Sequence, residues 1–222
     1  MKKILISTIL AAFFAFSASA DTSIGVSISY ANMDASGSHT TNSSSGGSGG
    51  DAVNASGNAD FEMASFFIEK EVDAGGLNIA IGLDAVPMTA EVDKLGGGDG
   101  FDATVEVGNL MTGYVQPMFD AGGMTLFLKA GASSADLEIT NISRQVTATE
   151  TSDSASTDGA QSKTLNGIMY GVGMQTDMAG GFLRFEGTVT EFDTISHTNS
   201  NDKTLKADSE LTRFTISYGK SF

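Results

Sequence analysis

A short glycine turn occurs three times in this chain, and each copy stands directly before a run of alternating residues. The copies are Asp73-Ala74-Gly75-Gly76, Asp120-Ala121-Gly122-Gly123 and Asp177-Met178-Ala179-Gly180-Gly181. Glycine supplies the positive φ angles that tight hairpins need, and aspartate tolerates them. The repeated turn therefore predicts antiparallel β-hairpins.

The residues that follow each turn alternate between apolar side chains and polar or small ones, and both ends of the chain repeat the pattern. A period of two gives a strand one apolar face and one polar face. The apolar positions are Leu77, Ile79, Ile81 and Leu83; Met124, Leu126 and Leu128; Leu183, Phe185 and Val189; Ile24, Val26, Ile28 and Tyr30; and Phe214, Ile216 and Tyr218.

Three further strands are predicted near residues 60–71, 103–118 and 163–177, which brings the total to eight. In 103–118 the apolar phase changes near Gly108, and this change predicts a β-bulge. The remaining connections are long, polar and rich in serine and glycine, and we expect them to be mobile. These connections cover 34–59, 89–102, 141–162 and 196–207.

Short turns and long loops alternate strictly along the chain. An even number of strands with short turns on one side and long loops on the other is typical of outer-membrane barrels. We therefore predict an all-β fold, an eight-stranded antiparallel transmembrane β-barrel with short periplasmic turns and long extracellular loops. The alternative is a water-soluble β-sandwich, which would bury its apolar faces and show no side preference in loop length.

The first 20 residues have the pattern of a signal peptide. Lys2 and Lys3 precede the apolar run 4–16, and Ala18-Ser19-Ala20 is a small-residue cleavage site. The predicted division is thus a cleaved signal peptide at 1–20 and an outer-membrane barrel at 21–222, located in a Gram-negative cell envelope. The chain has no cysteine, so a lipoprotein anchor is excluded.

The chain is strongly acidic, with a formal net charge of −15. Removal of the predicted signal peptide takes away two of the 12 basic residues and none of the 27 acidic ones, which leaves −17. Nucleic-acid binding requires a basic surface that neutralises phosphates. The composition therefore excludes a nucleic-acid partner, and no motif in the chain points to a cofactor.

The eight alternating strands, the glycine turns and the C-terminal residues resemble small outer-membrane barrels of the OmpA transmembrane-domain and opacity-protein type. The resemblance covers the whole of 21–222 as a pattern of strands and turns. In that family, alternating aromatic or apolar residues before a C-terminal phenylalanine are read by the barrel assembly machinery, and the matching residues here are Phe214, Ile216, Tyr218 and Phe222. Full-length OmpA proteins carry a peptidoglycan-binding domain after the barrel. The resemblance here covers the barrel alone, so we do not expect a cell-wall tether.

Charged residues on the polar faces of the strands are expected to point into the barrel interior. They are Glu69, Lys129, Arg184, Glu186 and Arg213, and the neighbouring last two strands would bring Arg184 or Glu186 near Arg213. One interpretation is a gated polar pore. The favoured one is a charge network that fills the interior, because eight strands leave room for little beyond side chains.

Two other kinds of site are conceivable at the predicted outer rim. His39 and His197 lie in loops that barrel closure brings together, with Asp34 and Asp193 available as carboxylate ligands. The spacing of known metal sites is absent, so no metal site is predicted. Ser196 stands beside His197 without a nucleophile motif, and we expect no enzymatic activity.

Three functions are compatible with the sequence. The leading hypothesis is a structural and surface-interaction protein in contact with outer-membrane lipids and lipopolysaccharide, exposing its loops to an external ligand that the sequence does not identify. The first alternative is a narrow channel for ions or small molecules. The second is a lipid-modifying enzyme of the outer membrane.

Overall fold

The computed structural model describes residues 21–41, 53–92, 101–144, 161–198 and 203–222. The strands in these ranges are β1 (Thr22–Thr41), β2 (Val53–Asp73), β3 (Asn78–Val86), β4 (Ala90–Val92), β5 (Phe101–Asp120), β6 (Thr125–Arg144), β7 (Gln161–Met178), β8 (Gly181–Phe192), β9 (Ile195–Thr198) and β10 (Lys203–Ser221). Within the described ranges, no helix is both long and apolar enough to cross a membrane.

The strands close into one antiparallel barrel. The strands pair in the order β1, β2, β3, β5, β6, β7, β8, β10, and β10 returns to pair with β1 from Ser23–Ser221 to Thr41–Lys203. β3 and β4 pair in succession with β5, and β8 and β9 pair in succession with β10, so the wall has eight positions. The fold class predicted from the sequence is confirmed.

The glycine turns join β2 to β3, β5 to β6 and β7 to β8, as predicted. Gly75 and Gly76 have φ angles of 76° and 94°, values that other residues rarely adopt. The aspartate of the same turn fixes its shape, because the Asp73 carboxylate accepts a hydrogen bond of 2.7 Å from the Gly76 amide. In the second turn the Asp120 carboxylate accepts a hydrogen bond of 2.9 Å from the first glycine, Gly122.

The strands are longer than the sequence pattern predicts. The interpretation of 34–59 as a loop is wrong at both ends, since β1 extends to Thr41 and β2 begins at Val53. The backbone ladder continues between polar side chains because its hydrogen bonds do not depend on their apolarity. Segments 1–20, 42–52, 93–100, 145–160 and 199–202 lie outside the described residues, and so do the signal peptide predicted for 1–20 and the mobility expected of the loops.

The predicted bulge near Gly108 is confirmed. The register of β5 against β6 shifts between Gly108 and Met111, and Asn109 has a φ of 51°. One extra residue on β5 allows Val107 and Leu110, which are three positions apart, both to point inward, and this is the reason that the sequence pattern breaks there.

The outward face of the barrel is apolar near the glycine turns, the start of β1 and the end of β10. Ile28 is 65% exposed and Phe66 is 60% exposed, values that a soluble core would not allow. We call this band the lipid-facing belt; its exposed members include Ile24, Val26, Ile28, Tyr30, Phe66, Val115, Leu126, Leu128, Ile168, Val172, Met174, Phe214, Ile216 and Tyr218. This distribution is that of a barrel that spans a membrane, and the alternative of a sandwich is excluded.

The polarity of the two faces inverts toward the long-loop end. On β1, Ser27 and Ser29 point inward at the level of the belt. Nearer the long loops, Ala31 and Met33 point inward and Asn32 points outward. We call the inward apolar cluster the apolar plug; it consists of Ala31, Met33, Met63, Val86, Val107, Leu110, Ala135, Leu137, Leu165, Phe192 and Leu211. The upper barrel, beyond the belt, is therefore built like a water-soluble β-barrel.

Arginine substitutions on one strand test this division. Ile28→Arg places a charge in the middle of the belt and is expected to lower the free energy of unfolding by about 2–4 kcal/mol. Ser36→Arg, also outward on β1 but in the upper barrel, is expected to change it by less than about 0.5 kcal/mol. Urea unfolding of protein refolded into thin phospholipid bilayers measures both. Equal costs at the two positions would contradict the division.

Candidate functional site

Among the ion pairs of the described residues, the most buried one joins β2 to β8, and we call it the innermost ion pair. The Arg184 guanidinium donates to both carboxylate oxygens of Glu69, at 2.6 Å from Nη2 to Oε1 and 3.0 Å from Nη1 to Oε2. Its Nε and Nη2 also donate to Oε1 of Gln175, at 3.1 and 2.7 Å. This arginine is 1% exposed, so the pair is shielded from water, and its two-pronged geometry fixes the orientation of both groups.

Three phenylalanine rings surround the Arg184 guanidinium. Its Cζ lies 5.3, 5.3 and 4.9 Å from the ring centroids of Phe67, Phe127 and Phe182, within the range of cation–π attraction. The rings find room because glycines stand opposite them; a Cβ at Gly173 would overlap the ring of Phe127. The rings and the ion pair together fill this level of the interior.

A second ion pair lies beside the first. Lys129 Nζ donates to both carboxylate oxygens of Glu186, at 2.8 and 3.0 Å, and lies 4.0 Å from the centroid of the Tyr114 ring. The Tyr114 hydroxyl donates to Glu69 Oε2 at 2.8 Å, so this ring links the two ion pairs. The ring can approach β3 closely because residue 82 is glycine, and a Cβ there would overlap the phenol.

The third ion pair joins Arg213 to Asp84. Asp84 Oδ1 lies 3.4 Å from Arg213 Nη1, and Asp84 Oδ2 accepts a bond of 2.7 Å from the Ser65 hydroxyl. Arg213 Nη2 also donates to the Ser29 hydroxyl at 3.3 Å. The ion-pair partner of Arg213 is thus Asp84 of β3, across the interior, and not Glu186 of the neighbouring strand.

Sequence reasoning missed Asp84, Tyr114 and Gln175 as members of this network. Each of them occupies the inward phase of its strand, which was the available signal. Asp84 alternates with outward Leu83 and Ala85, and Gln175 stands directly opposite Arg184 in the β7–β8 register.

Hydroxyl pairs complete the polar interior, joining Ser27 to Ser217, Ser29 to Thr215 and Thr112 to Ser133 at 2.8–2.9 Å. Among the described residues, Gln116 is an exception, since neither its amide nitrogen nor its amide oxygen has a hydrogen-bond partner.

Two layers therefore close the interior in series. The ion-pair layer contains Glu69, Asp84, Lys129, Arg184, Glu186 and Arg213, and the apolar plug lies between it and the long-loop end. Eight-stranded barrels have an interior just wide enough for side chains to fill. The ion pairs and the apolar plug therefore connect the strands of the wall to one another through the interior.

The residues considered for a metal or catalytic site at the rim occupy strands or their ends. The backbones of His39 on β1 and His197 on β9 both pair with Leu205 of β10, one on each side, but their side chains lie outside the described part. The Asp193 amide donates to the Asn166 carbonyl. No group of three or more histidine, aspartate or glutamate side chains that could hold a metal occurs in the described part of the chain.

The predicted assembly residues face the lipid. Phe214, Ile216 and Tyr218 point outward on β10, and Phe222 is 71% exposed at the end of the strand. The Phe222 amide donates to the Thr22 carbonyl at 2.9 Å, which fastens the last residue to the first strand.

Comparison with known proteins finds structures but no sequence family. No family model and no curated protein matches the chain. Ail from Yersinia pestis, in complex with the heparin analogue sucrose octasulfate, is 12% identical over 89% of this chain and 98% of its own, with a TM-score of 0.40. Neisserial surface protein A is 14% identical over 83% of this chain and 95% of its own, with a TM-score of 0.34. The outer membrane protease OmpT from Escherichia coli is 8% identical over 91% of this chain and 97% of its own, with a TM-score of 0.44.

The chain has the architecture of a small eight-stranded outer-membrane β-barrel. The closed antiparallel pairing and the exposed belt carry that conclusion. The identities of 8–14% are too low for any residue role to pass from these structures to this chain.

Substitutions in the innermost ion pair test its structural role. Arg184→Met leaves the Glu69 carboxylate buried without its main partner and is expected to cost about 3–5 kcal/mol. The double variant Glu69→Gln, Arg184→Met removes both charges and is expected to recover much of that loss. Urea unfolding in bilayers measures both variants. A double variant as unstable as the single one would show that the charge pair is not the source of the cost.

Proposed function

We propose that this protein is an integral component of the Gram-negative outer membrane that stabilises the envelope and displays its upper barrel outside the cell, without conducting solutes. The observation that carries the proposal is the double closure of the interior by the ion-pair layer and the apolar plug. A conducting barrel needs a continuous aqueous path, and here side chains occupy both levels.

The proposed sidedness follows from the two ends of the barrel. The end with the glycine turns, the start of β1 and the end of β10 is short and lies next to the belt, as in periplasmic ends of such barrels. The other end carries the extended β1–β2 and β5–β6 ladders, which continue well beyond the belt. We place this upper barrel outside, where its polar outward face meets water and the head groups of lipopolysaccharide.

The upper barrel offers an acidic surface to external partners. In the described part of the chain, its exposed carboxylates include Asp34, Asp60, Glu62, Asp136, Glu138, Glu191, Asp208 and Glu210. Such a surface favours basic partners, or anionic ones bridged by divalent cations. The role proposed is interaction and not catalysis, and biogenesis would pass through the barrel assembly machinery by way of the terminal Phe222 segment.

Planar-bilayer recording of the refolded protein tests the closed interior. We expect no steady conductance from the wild type. Because the two closures act in series, Glu69→Ala with Arg184→Ala, or Phe192→Ala with Leu211→Ala, is expected to leave the barrel closed, whereas the quadruple variant is expected to conduct. Ohmic conductance from wild-type protein would contradict the proposal and favour the narrow channel.

A further inference from the structure

The barrel wall has a seam between β2 and the β3–β4 connection. β2 pairs with β1 from Val53 to Lys70, but it pairs with β3 only from Phe66 to Asp73. Beyond the Phe66–Ala85 pair, β4 pairs with β5 and has no ladder with β2 in the described part of the sheet. Pro87, which follows β3, has no amide hydrogen to continue the ladder.

A cavity of about 30 Å³ lies at this seam and reaches into the apolar plug. Its inner lining consists of Met33, Met63, Val86, Leu110, Phe192 and Leu211, and Glu62, Met88 and Thr89 form its mouth. A water needs about 10–15 Å³ of such space and two or more polar partners. The space therefore suffices for a few atoms, and its inner lining offers water no hydrogen-bond partner.

The mouth lies at the upper edge of the lipid-facing belt. Glu62 pairs with Tyr30, the last belt residue of β1, and Phe66, only four residues away, is exposed to the lipid side. On the other side of the seam, Met88 and Met111 are outward and about half exposed. The cavity thus continues the apolar surface of the belt sideways into the barrel.

We propose that this seam cavity takes the end of an acyl chain from a lipid of the outer leaflet. A linear chain is narrow enough to pass between strands that are not hydrogen-bonded, and its terminal carbons would gain the dispersion contacts that an empty space forfeits. The Glu62 carboxylate at the mouth disfavours a free fatty acid, whose own carboxylate would lie against it. The occupant is therefore a membrane lipid whose head group stays outside the mouth.

Acyl-chain binding at the seam rests on the proposed placement of the upper barrel, and tryptophan fluorescence tests the two separately. The chain has no tryptophan, so a single introduced one is an unambiguous reporter. Phe192→Trp reports from the cavity, Leu126→Trp from the lipid-facing belt, and Phe182→Trp from the buried interior near the glycine turns. Each variant is refolded into phosphatidylcholine vesicles whose acyl chains are brominated near their ends, and folding is checked by heat-dependent gel mobility.

We expect Phe192→Trp to be quenched less strongly than Leu126→Trp and more strongly than Phe182→Trp. Val86→Phe added to Phe192→Trp fills the cavity and is expected to reduce the quenching to the level of Phe182→Trp. Val86→Ile serves where the larger residue prevents folding, with a smaller reduction.

Quenching of Phe192→Trp no stronger than that of Phe182→Trp would overturn the acyl-chain proposal, and so would quenching of Phe192→Trp by aqueous iodide in place of bromine. Weak quenching of Leu126→Trp would instead overturn the membrane placement itself.

Discussion

The pleat of an antiparallel strand sends successive side chains to opposite faces. β1 keeps the same alternation of inward and outward positions from Ser23 to Ser36, although it passes from the membrane into water along this length. Within the membrane the outward positions must be apolar and the interior is polar. Beyond the membrane the outward positions meet water, and the interior must become apolar to hold the sheet closed. The switch between Ser29 and Ala31 on the inward face is the consequence, and the positions of the ion-pair layer and of the plug follow from it.

The ion pairs lie where a charge is most expensive to bury, so each is held by more than its partner. Glu69 accepts from both Arg184 and Tyr114, while Lys129 pairs with Glu186 and rests on the Tyr114 ring. Desolvation can exceed the Coulombic gain of a buried pair, whereas loss of one partner is strongly destabilising. Such a network favours one interior arrangement of the strands over others, which suits a structural barrel better than a pathway for ions.

Much of the fold was readable from the sequence because period-two patterns and glycine turns are local signals. The turns at Gly75–Gly76 and Gly122–Gly123, the bulge beside Gly108 and the outward phase of β1 and β10 were all found this way. The strand ends in 34–59 were missed because the extended ladder joins polar and small residues, which show no alternation of apolar and polar positions in the sequence. Asp84 was missed as the partner of Arg213 because contacts across the interior depend on strand stagger, which a linear pattern does not contain.

The inversion of polarity is tested most directly by a depth profile along β10. The chain has no cysteine, so single cysteines can be placed at the outward positions Ile216, Phe214, Thr212, Glu210 and Asp208 and labelled with a fluorophore. In bilayers that contain nitroxide-labelled lipid, quenching should be strong at 216 and 214, fall at 212, and be weak at 210 and 208. Quenching that stays strong through 208, or is absent at 216, would contradict the account.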